Sequence, residues 1–392
     1  MVLDASIGVA SAAPAARVAM VGAGQLARMT HQAAIDYGIE LHVLAGSPAD
    51  PAVTAGAGYT LGRADDAALL RQLAANADVM TFDHELVPLD VLRAMASEGC
   101  VIRPSADALA LGCDKLFARA AVSGLGDLSV PVPAFAPVVQ PAGVAAFAEE
   151  HGWPVVLKAR RGGYDGRGVV IADDLAAVER VLAADGGGDG PQWVVEEHLD
   201  IAVEFAILVA RSPSGFTATY PAIGTLQVEG ICRELTIPAD LPESVVQQGA
   251  TWARSILEGF GATGIAAVEY FVTRDGRLLL NEFALRPHNS GHITIESCAT
   301  SQFHQHLRAV LDWPLGGTGL LRPAATVNLI ADATTTELSS RLPLALAVPD
   351  VRIHLYQKAP RPGRKVGHVT ALADSVPEAL ERARTAVERF LG

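Results

Sequence analysis

The chain has 392 residues, half of them hydrophobic, and its 43 acidic and 30 basic residues give a formal net charge of −13. This length is enough for about two or three domains with real cores. The acidic balance excludes a general nucleic-acid binder, whose footprint is a basic surface. Four cysteines without CxxC spacing favour a cytoplasmic location over an oxidising compartment.

No targeting or membrane segment is predicted near the N-terminus. Residues 1–16 lack a basic stretch before their apolar residues, so we expect a disordered Ala-rich extension rather than a signal peptide. The longest uncharged run, Leu128 to Ala148, contains four prolines, which a membrane helix does not readily tolerate. We therefore interpret that run as a linker and expect no membrane partner.

A strand, a glycine turn and a helix open the ordered part of the chain. Arg17 to Val21 is apolar and runs into Gly22 to Ala27, after which apolar residues recur at helical spacing. Strands at Leu41 to Leu44 and Val79 to Phe82 extend this unit into an open α/β sheet. The turn matches the dinucleotide fingerprint GxGxxA, but residues 45–47 lack the acid that binds the ribose. Its backbone N–H groups could instead meet a phosphate or another polar group.

A glycine-rich segment follows the next strand. After a helix around Ala106 to Ser123, a strand at Val155 to Lys158 leads into residues 160–168, which contain four glycines. This composition is typical of a mobile flap that closes over phosphates, although a plain hairpin turn explains the glycines alone equally well. Strands at Trp193 to Glu197 and Val203 to Ala210 come next. They place three acids near the edge of a cleft, with plain surface acids as the alternative: Glu196, Glu197 and Glu204.

Two carboxylates face each other across a predicted hairpin. Residues 265–283 hold two runs of strand formers separated by Asp275-Gly276, a hairpin turn signal. With those two residues as the whole loop, Glu269 lies opposite Glu282. Like charges facing each other at about 4.5–5.5 Å destabilise a strand pair, so we expect a cation between them. Magnesium is the natural candidate because one or two carboxylates usually hold it together with substrate phosphates. Two solvated acids in a slipped register are the alternative.

The last segment, residues 311–392, is too small for an independent enzyme. It contains predicted strands at Ala325 to Ile330 and Val351 to Gln357, followed by a basic loop at Lys358 to Lys365 and a closing helix. Basic residues are also concentrated at positions 158–167. Such local clusters favour a small polyanionic ligand in a cleft, with solvated basic loops as an equal alternative for either cluster alone.

Six motifs occur in a fixed order along the chain. They are GQL (24–26), KARRGGYDGRG (158–168), WVVEEH (193–198), NEFALRPHNSGH (281–292), TSQF (300–303) and YQKAPRPGRKVGH (356–368). Together they closely resemble the N5-carboxyaminoimidazole ribonucleotide synthetase family, ATP-grasp ligases of purine biosynthesis. The resemblance runs from about Arg17 to the C-terminus. HNSGH, TSQF and RPGRKVGH in this order are highly specific, whereas the glycine motifs are weak separately.

The resemblance implies an ATP-grasp fold, α/β and α+β in class. Its parts are a Rossmann-like pre-ATP-grasp domain at 17–112, an ATP-grasp domain at 113–312 with a flap subdomain at about 130–200, and a small C-terminal domain at 313–392. The implied enzyme is a homodimer that uses ATP, magnesium and bicarbonate to carboxylate 5-aminoimidazole ribonucleotide. Bicarbonate is first phosphorylated to carboxyphosphate, and ADP and phosphate are released.

The site residues that the resemblance implies fall into four groups. Those expected to bind ATP are Lys115, Lys158, Gly163, Gly166, Gly168, Glu196, Glu197, Leu199, Glu204, Asn281 and Glu282. Those expected to hold magnesium are Glu269 and Glu282. Those expected to bind the ribonucleotide are Gln25, Leu26, Asp83, Glu85, Lys358, Arg364 and Lys365. Those expected to act on bicarbonate, carboxyphosphate and the amine are Tyr164, Asp165, Arg167, Arg286, His288, Asn289 and Lys358.

Three positions depart from the family pattern. Gln227 stands where a histidine near the nucleotide is common, residues 83–88 read DHELVP instead of EFENVP, and Ala27 replaces a glycine. We expect an altered ribonucleotide site in an active enzyme. The alternatives are another ATP-grasp ligase such as formate-dependent glycinamide ribonucleotide transformylase, an NAD-dependent oxidoreductase, and a nucleotide sensor without turnover.

Overall fold

The computed structural model describes residues 15–124, 130–163, 168–184, 192–332 and 338–392. Nearly all of the predicted N-terminal extension lies outside these ranges, as do residues 164–167 of the predicted flap. Within the described ranges, no helix is both long enough and apolar enough to cross a membrane.

A four-stranded parallel sheet with flanking helices forms the N-terminal unit. Its elements are β1 (Arg17–Val21), α1 (Gln25–Asp36), β2 (Glu40–Ala45), α2 (Pro51–Thr54), β3 (Gly58–Leu61), α3 (Ala67–Ala75), β4 (Val79–Phe82), α4 (Leu89–Ser97) and α5 (Ala106–Cys113). The strand order is β3-β2-β1-β4. β4 is buried along its whole length, as expected for a parallel strand covered on both faces. β3, which the sequence analysis did not predict, is a largely exposed edge strand.

The helix predicted around Ala106 to Ser123 is two helices. α5 ends at Cys113, and α6 (Lys115–Ser123) begins after Asp114. Asp114 has extended backbone angles, and its carboxylate accepts a hydrogen bond from the Phe117 N–H at 3.1 Å. An aspartate that caps a new helix ends the preceding one, even where the apolar pattern continues across both. The single-helix prediction is therefore wrong at this point.

A small antiparallel sheet with two helices forms the flap subdomain. Its elements are β5 (Phe135–Val138), α7 (Pro141–His151), β6 (Val155–Ala159), β7 (Val169–Ala172), α8 (Leu175–Ala184) and β8 (Trp193–Glu197). The strand order is β5-β8-β6-β7.

The prediction of a linker over Leu128 to Ala148 is wrong for its described part, since β5 and most of α7 lie there. Residues 125–129 lie outside the described ranges. Pro137 lies in an edge strand, where a missing N–H costs little. Pro141 occupies the first turn of α7, where proline is favoured. The prolines therefore shape regular elements here and do not mark an irregular linker.

A nine-stranded antiparallel sheet spans the remaining chain. Its elements are β9 (Ile201–Arg211), β10 (Thr217–Thr219), β11 (Ile223–Val228), β12 (Ile231–Ile237), α9 (Glu243–Gly259), β13 (Gly264–Thr273), β14 (Leu278–Ala284), a 3-10 helix (Asn289–Ile293), α10 (Thr294–Ser297), α11 (Gln302–Val310), β15 (Ala324–Ile330), α12 (Leu342–Leu346), β16 (Val351–Leu355), β17 (Lys365–Leu372) and α13 (Val376–Leu391). The order is β14-β13-β9-β11-β12-β15-β17-β16, with β10 paired to β9. Because β12 pairs with β15, the C-terminal segment extends the central sheet.

Histidines on α11 attach the N-terminal unit to the central sheet. His304 contacts Asp36 of α1 at 2.9 Å. His306 accepts a hydrogen bond at Nδ1 from the Ile265 N–H at 3.2 Å, so its proton lies on Nε2 and is donated to the Thr81 hydroxyl at 2.9 Å. Burial lowers the pKa of His306 to about 3, which keeps this ring neutral. One neutral ring thus joins β4 to β13.

We predict that His306→Gln weakens the acid sensitivity of folding. Unfolded histidine binds a proton below about pH 6.5, but native His306 does so only near its pKa of about 3. Within that window the unfolded state holds the extra proton, so stability falls by about 1.4 kcal/mol per pH unit as pH decreases. Urea unfolding from pH 7 to pH 4 should give a shallower slope for the variant. Parallel slopes for parent and variant would contradict the neutral assignment.

Candidate active site

The hairpin between β13 and β14 brings Glu269 and Glu282 together, but its loop differs from the predicted one. The loop has three residues, Arg274 to Gly276, because the Thr273 N–H bonds to the Arg277 carbonyl at 3.0 Å. Gly276 has φ +87°, a conformation that favours glycine. The predicted two-residue loop is therefore wrong, and the observed loop alone would place Glu269 opposite Asn281.

A β-bulge restores the predicted pairing. Tyr270 pairs with Leu280, but the next pair is Glu269 with Glu282, which leaves Asn281 as an extra residue in β14. Bulges re-aim side chains and are frequent next to active sites. Here the Asn281 amide lies 3.4 Å from Glu269 Oε2, so the bulge adds an amide to the carboxylate pair.

The carboxylate pair is electrostatically strained. Burial, and then the charges of Glu282 and Glu204, raise the pKa of Glu269 to about 8. Lys115 Nζ lies 3.1 Å from Glu282 Oε2 and compensates part of the charge. In the part of the chain that the structure describes, no group of three or more His, Cys, Asp or Glu side chains is arranged to hold a metal. A divalent ion here would thus depend on this pair and on ligand oxygens.

A buried ionic cluster lies beside the hairpin. Glu196, on β8, lies 2.7 Å from Lys158 Nζ of β6 and 2.8 Å from Arg119 of α6. Burial alone would raise the pKa of Glu196, but the charges and hydrogen bonds of Lys158 and Arg119 outweigh it and bring the pKa to about 2. Lys158 Nζ also donates to the Asn281 side chain at 3.2 Å. The cluster therefore connects the flap subdomain to the bulge.

Three other residues predicted to bind the nucleotide come from β8, from β9 and from the segment between them: Glu197, Glu204 and Leu199. The Glu197 carboxylate accepts from the Ala134 N–H at 3.0 Å, and Leu199 is buried. Glu204 on β9 pairs with Phe271, which lies two residues after Glu269 on the neighbouring strand β13. Burial raises the pKa of Glu204, with Lys158 opposing that change. Glu197 thus ends a strand of the flap sheet, whereas Glu204 lies in the central sheet.

The predicted bicarbonate residues form the 3-10 helix and the turn before it. Arg286 Nε donates to Glu85 of the N-terminal unit at 2.9 Å. His288 contacts the Ser290 hydroxyl at 2.9 Å through Nδ1, and its Nε2 lies 3.7 Å from Glu269. Burial, and then the charges of Arg286 and Lys365, lower the pKa of His288 to about 3. This ring is neutral and close to the carboxylate pair.

Asn289 lacks protein partners for both polar atoms of its side chain. The amide nitrogen and oxygen are buried and make no hydrogen bond in the structure. Buried polar groups of this kind nearly always pair with protein, water or a ligand. The side-chain amide of Asn289, next to His288, is therefore not satisfied by protein groups in this structure.

The predicted ribonucleotide residues come from both ends of the chain. Lys358, after β16, donates to the Gln25 side chain at the start of α1, and Leu26 follows it on that helix. Lys365 is buried at the start of β17, and its charge acts on Glu269 and His288. Arg364 donates to the Ala359 carbonyl at 3.1 Å within the basic loop. The N- and C-terminal units thus meet beside the carboxylate pair.

Asp83 binds the first helix of its own domain. Its carboxylate accepts from the Gly24 N–H at 2.7 Å and so takes the place of a side-chain cap on α1. A Cβ on Gly22, where φ is +103°, would lie 1.7 Å from Asp83 Oδ1. The glycine turn therefore makes room for the Asp83 carboxylate, which accepts the hydrogen bond of the Gly24 N–H in this structure.

The flap is described only at its base. Gly163 and Gly168 approach each other there, and a Cβ on Gly168, where φ is +77°, would lie 2.8 Å from Ala159 Cβ. The other predicted flap residues lie outside the described ranges: Tyr164, Asp165, Gly166 and Arg167.

Several residues that were not predicted from the sequence hold the predicted ones in place. Arg119 follows Lys115 by one helical turn, a repeat of basic residues on one face that could have drawn attention. The Asp114 carboxylate forms ion pairs with Arg160 at 2.8 Å and with Arg161 at 2.9 Å, which attach the base of the flap to the start of α6. Gln302 accepts from the His288 N–H at 2.9 Å and donates to the His288 carbonyl at 2.7 Å. That double contact gives TSQF a structural role.

Comparison with known proteins matches all three parts of the chain. Residues 15–112 match the ribonucleotide synthetase preATP-grasp domain, residues 123–303 the ATP-grasp domain, and residues 324–382 the phosphoribosylaminoimidazole carboxylase C-terminal domain. The fold and the site therefore define an ATP-binding ligase of the ATP-grasp class, which confirms the predicted fold class.

Relatives narrow the class to one family. N5-carboxyaminoimidazole ribonucleotide synthase of Mycobacterium tuberculosis is 46% identical over 374 residues, covering 94% of this chain and 86% of the relative. An Aspergillus clavatus N5-carboxyaminoimidazole synthase solved with ADP and 5-aminoimidazole ribonucleotide has a TM-score of 0.86 at 31% identity, covering 96% of this chain and 98% of that one. A carboxyaminoimidazole ribonucleotide synthase of Aspergillus clavatus complexed with ATP gives 0.87 at 32% identity, covering 96% and 99%.

The chain belongs to the N5-carboxyaminoimidazole ribonucleotide synthase family, enzymes of purine biosynthesis. The predicted family and the predicted enzyme class, an ATP-dependent ligase, are confirmed. The oxidoreductase and transformylase alternatives are disfavoured.

We predict that Asp83→Ala lowers the free energy of unfolding by about 1 kcal/mol or more, because α1 loses its cap. Asp83→Asn keeps an acceptor oxygen and should lose less. Urea unfolding at pH 7 measures both variants, and equal stability of parent and Asp83→Ala would contradict the capping role.

Proposed function

We propose that this cleft carboxylates the exocyclic amine of 5-aminoimidazole ribonucleotide with bicarbonate and ATP, giving N5-carboxyaminoimidazole ribonucleotide, ADP and phosphate. The observation that carries the proposal is the facing pair Glu269 and Glu282, which has cations from two parts of the chain around it. Lys115 contacts Glu282, Lys158 contacts the neighbouring Asn281, and the charge of Lys365 acts on Glu269 from the C-terminal region. Phosphoryl transfer depends mainly on positioning and on neutralising charge, which this arrangement supports.

Magnesium fits the donor set at the hairpin. Two facing carboxylates with an amide beside them offer the hard oxygen ligands that this ion prefers, and its other ligands are usually water and phosphate. Glu269 and Glu282 would hold the ion, with Asn281 adjacent. When bound, magnesium neutralises and orients phosphate oxygens. The elevated pKa of Glu269 supports this assignment, since the pair carries its full charge only when that charge is compensated.

The nucleotide is proposed to lie between the flap sheet and the central sheet. Lys115 and Lys158 would contact the phosphates or the adenine edge, and the glycines of the flap, Gly163, Gly166 and Gly168, would cover them. The backbone of residues 196–199 would bind adenine, because the Glu196 side chain is engaged by two cations. Glu204 would accept hydrogen bonds from the ribose.

Bicarbonate is proposed to bind at Arg286, His288 and Asn289. A bicarbonate oxygen attacks the γ-phosphorus, ADP leaves, and the product is carboxyphosphate. The amine nitrogen then bonds to the carboxyl carbon, directly or after carbon dioxide forms within the site, while phosphate leaves and the amine loses a proton. The guanidinium and the neutral ring of His288 would orient the anion, and the unpartnered amide of Asn289 supports its presence.

The ribonucleotide is proposed to lie between the N- and C-terminal units. Gln25, Leu26 and Glu85 would contact its base and ribose, with Asp83 acting mainly on α1. Lys358, Arg364 and Lys365 would supply charge for its phosphate. By the family resemblance, Tyr164, Asp165, Arg167 and Lys358 would orient the amine. We further propose a cytoplasmic homodimer without nucleic-acid or membrane partners.

We predict ADP release that requires 5-aminoimidazole ribonucleotide, with carbamate product formed only when bicarbonate is present. A coupled assay for ADP and product analysis in degassed and bicarbonate-supplemented buffer measure this. Stimulation by formate with glycinamide ribonucleotide, and none by aminoimidazole ribonucleotide, would favour the other ligase.

We predict that Glu282→Gln abolishes turnover, a loss of at least about a hundredfold, because it removes one of the two carboxylates proposed to hold magnesium. The fold should persist, since this side chain is partly exposed. Glu234→Gln, which removes a carboxylate paired with Arg384 away from the hairpin, is the matched control and should keep parent activity. A Glu282→Gln protein that turns over like the parent would refute the metal role.

A further inference from the structure

Arg119 is a buried arginine that touches two separate parts of the active site. Only 3% of this residue is exposed. Its Nε donates to Glu196 Oε1 at 2.8 Å, and a terminal nitrogen lies at the same distance from that oxygen. The other terminal nitrogen donates to the Asn281 carbonyl and, at 3.4 Å, to the Leu280 carbonyl. One guanidinium therefore joins β8 of the flap subdomain to β14 of the hairpin.

Both contacts lie where the structure needs an external donor. The bulge interrupts the ladder between β13 and β14 at Leu280 and Asn281, and buried carbonyls at such an interruption need partners. Glu196 is only 2% exposed, and a buried carboxylate of that kind requires paired cations. A planar guanidinium with several donors can serve carbonyls and a carboxylate at once, whereas an ammonium acts as a point charge.

The two partners of Arg119 hold residues of the proposed chemistry. Glu196 binds Lys158 at 2.7 Å, and the bulged residue Asn281 directly precedes Glu282. Lys115, one turn before Arg119 on α6, contacts Glu282 at 3.1 Å. A displaced Arg119 would therefore change the distance between the phosphate lysines and the carboxylate pair.

We propose that Arg119 is a positioning residue for phosphoryl transfer, which sets the register between Lys158 and the Glu269–Glu282 pair by clamping Glu196 to the β-bulge. This inference rests on the proposed function of the cleft. Arg119 touches neither nucleotide nor metal in this account. It acts through Glu196 and through the backbone of residues 280–281.

The test compares Arg119→Lys with the parent. Lysine keeps the positive charge but lacks the planar guanidinium with its several donors. We therefore expect kcat to fall about ten- to a hundredfold, as for a misplaced catalytic group. We also expect a higher magnesium concentration for half-maximal turnover and weaker binding of ADP with magnesium by calorimetry. Arg103→Lys is the matched control, because Arg103 is a partly buried arginine that donates to the Val310 carbonyl at 2.6 Å away from the cleft. It should change thermal stability without changing magnesium dependence.

Two outcomes would overturn the proposal. One is an Arg119→Lys protein with parent kcat and magnesium dependence, and the other is a loss that follows only the unfolded fraction, as in the control. Should Arg119→Lys fail to fold, Glu196→Asp is the alternative test. It keeps the negative charge but shortens the side chain by one methylene, which moves the carboxylate away from Arg119. It should shift kcat and magnesium dependence together, and unchanged values would overturn the proposal.

Failure of the proposed function would look different. A parent protein without turnover on aminoimidazole ribonucleotide would defeat that function, while binding of ADP with magnesium to parent and Arg119→Lys would still decide the role of Arg119.

Discussion

The repulsion between Glu269 and Glu282 is the constraint on which the rest of the site depends. Strand pairing brings the two carboxylates together, and their mutual charge, added to burial, makes the fully ionised pair unfavourable unless cations surround it. Lys115 supplies one such cation. A magnesium–triphosphate ligand would supply the positive charge that the protein does not. The same carboxylate pair would then both favour binding of the ligand and fix its position for the reaction.

Convergence of three structural units follows from that constraint. α11 fixes the N-terminal sheet to the central sheet through neutral His306, and Gln302 on the same helix holds the backbone of His288. The C-terminal strands extend the central sheet and bring Lys365 within electrostatic range of the carboxylate pair. Each unit therefore contributes charge or shape to the proposed site, and none contains that site alone.

The sequence predicts the composition of this site better than its geometry. The pairing of Glu269 with Glu282 was predicted, but a three-residue loop and a compensating bulge replace the expected two-residue turn, because the bulge has no local signal of its own. The linker prediction failed because proline is tolerated at sheet edges and in first helical turns. Arg119 was missed because its partners are 77 and 161 residues away in sequence, and only tertiary contacts reveal them.

A crystal structure with manganese and a non-hydrolysable ATP analogue tests the central claim most directly. Anomalous scattering at the manganese edge locates the ion independently of the rest of the model. We predict a peak coordinated by both Glu269 and Glu282 and by phosphate oxygens, with the bulge at Asn281 intact. A bound analogue whose ion lies elsewhere, with the two carboxylates turned apart, would contradict the account.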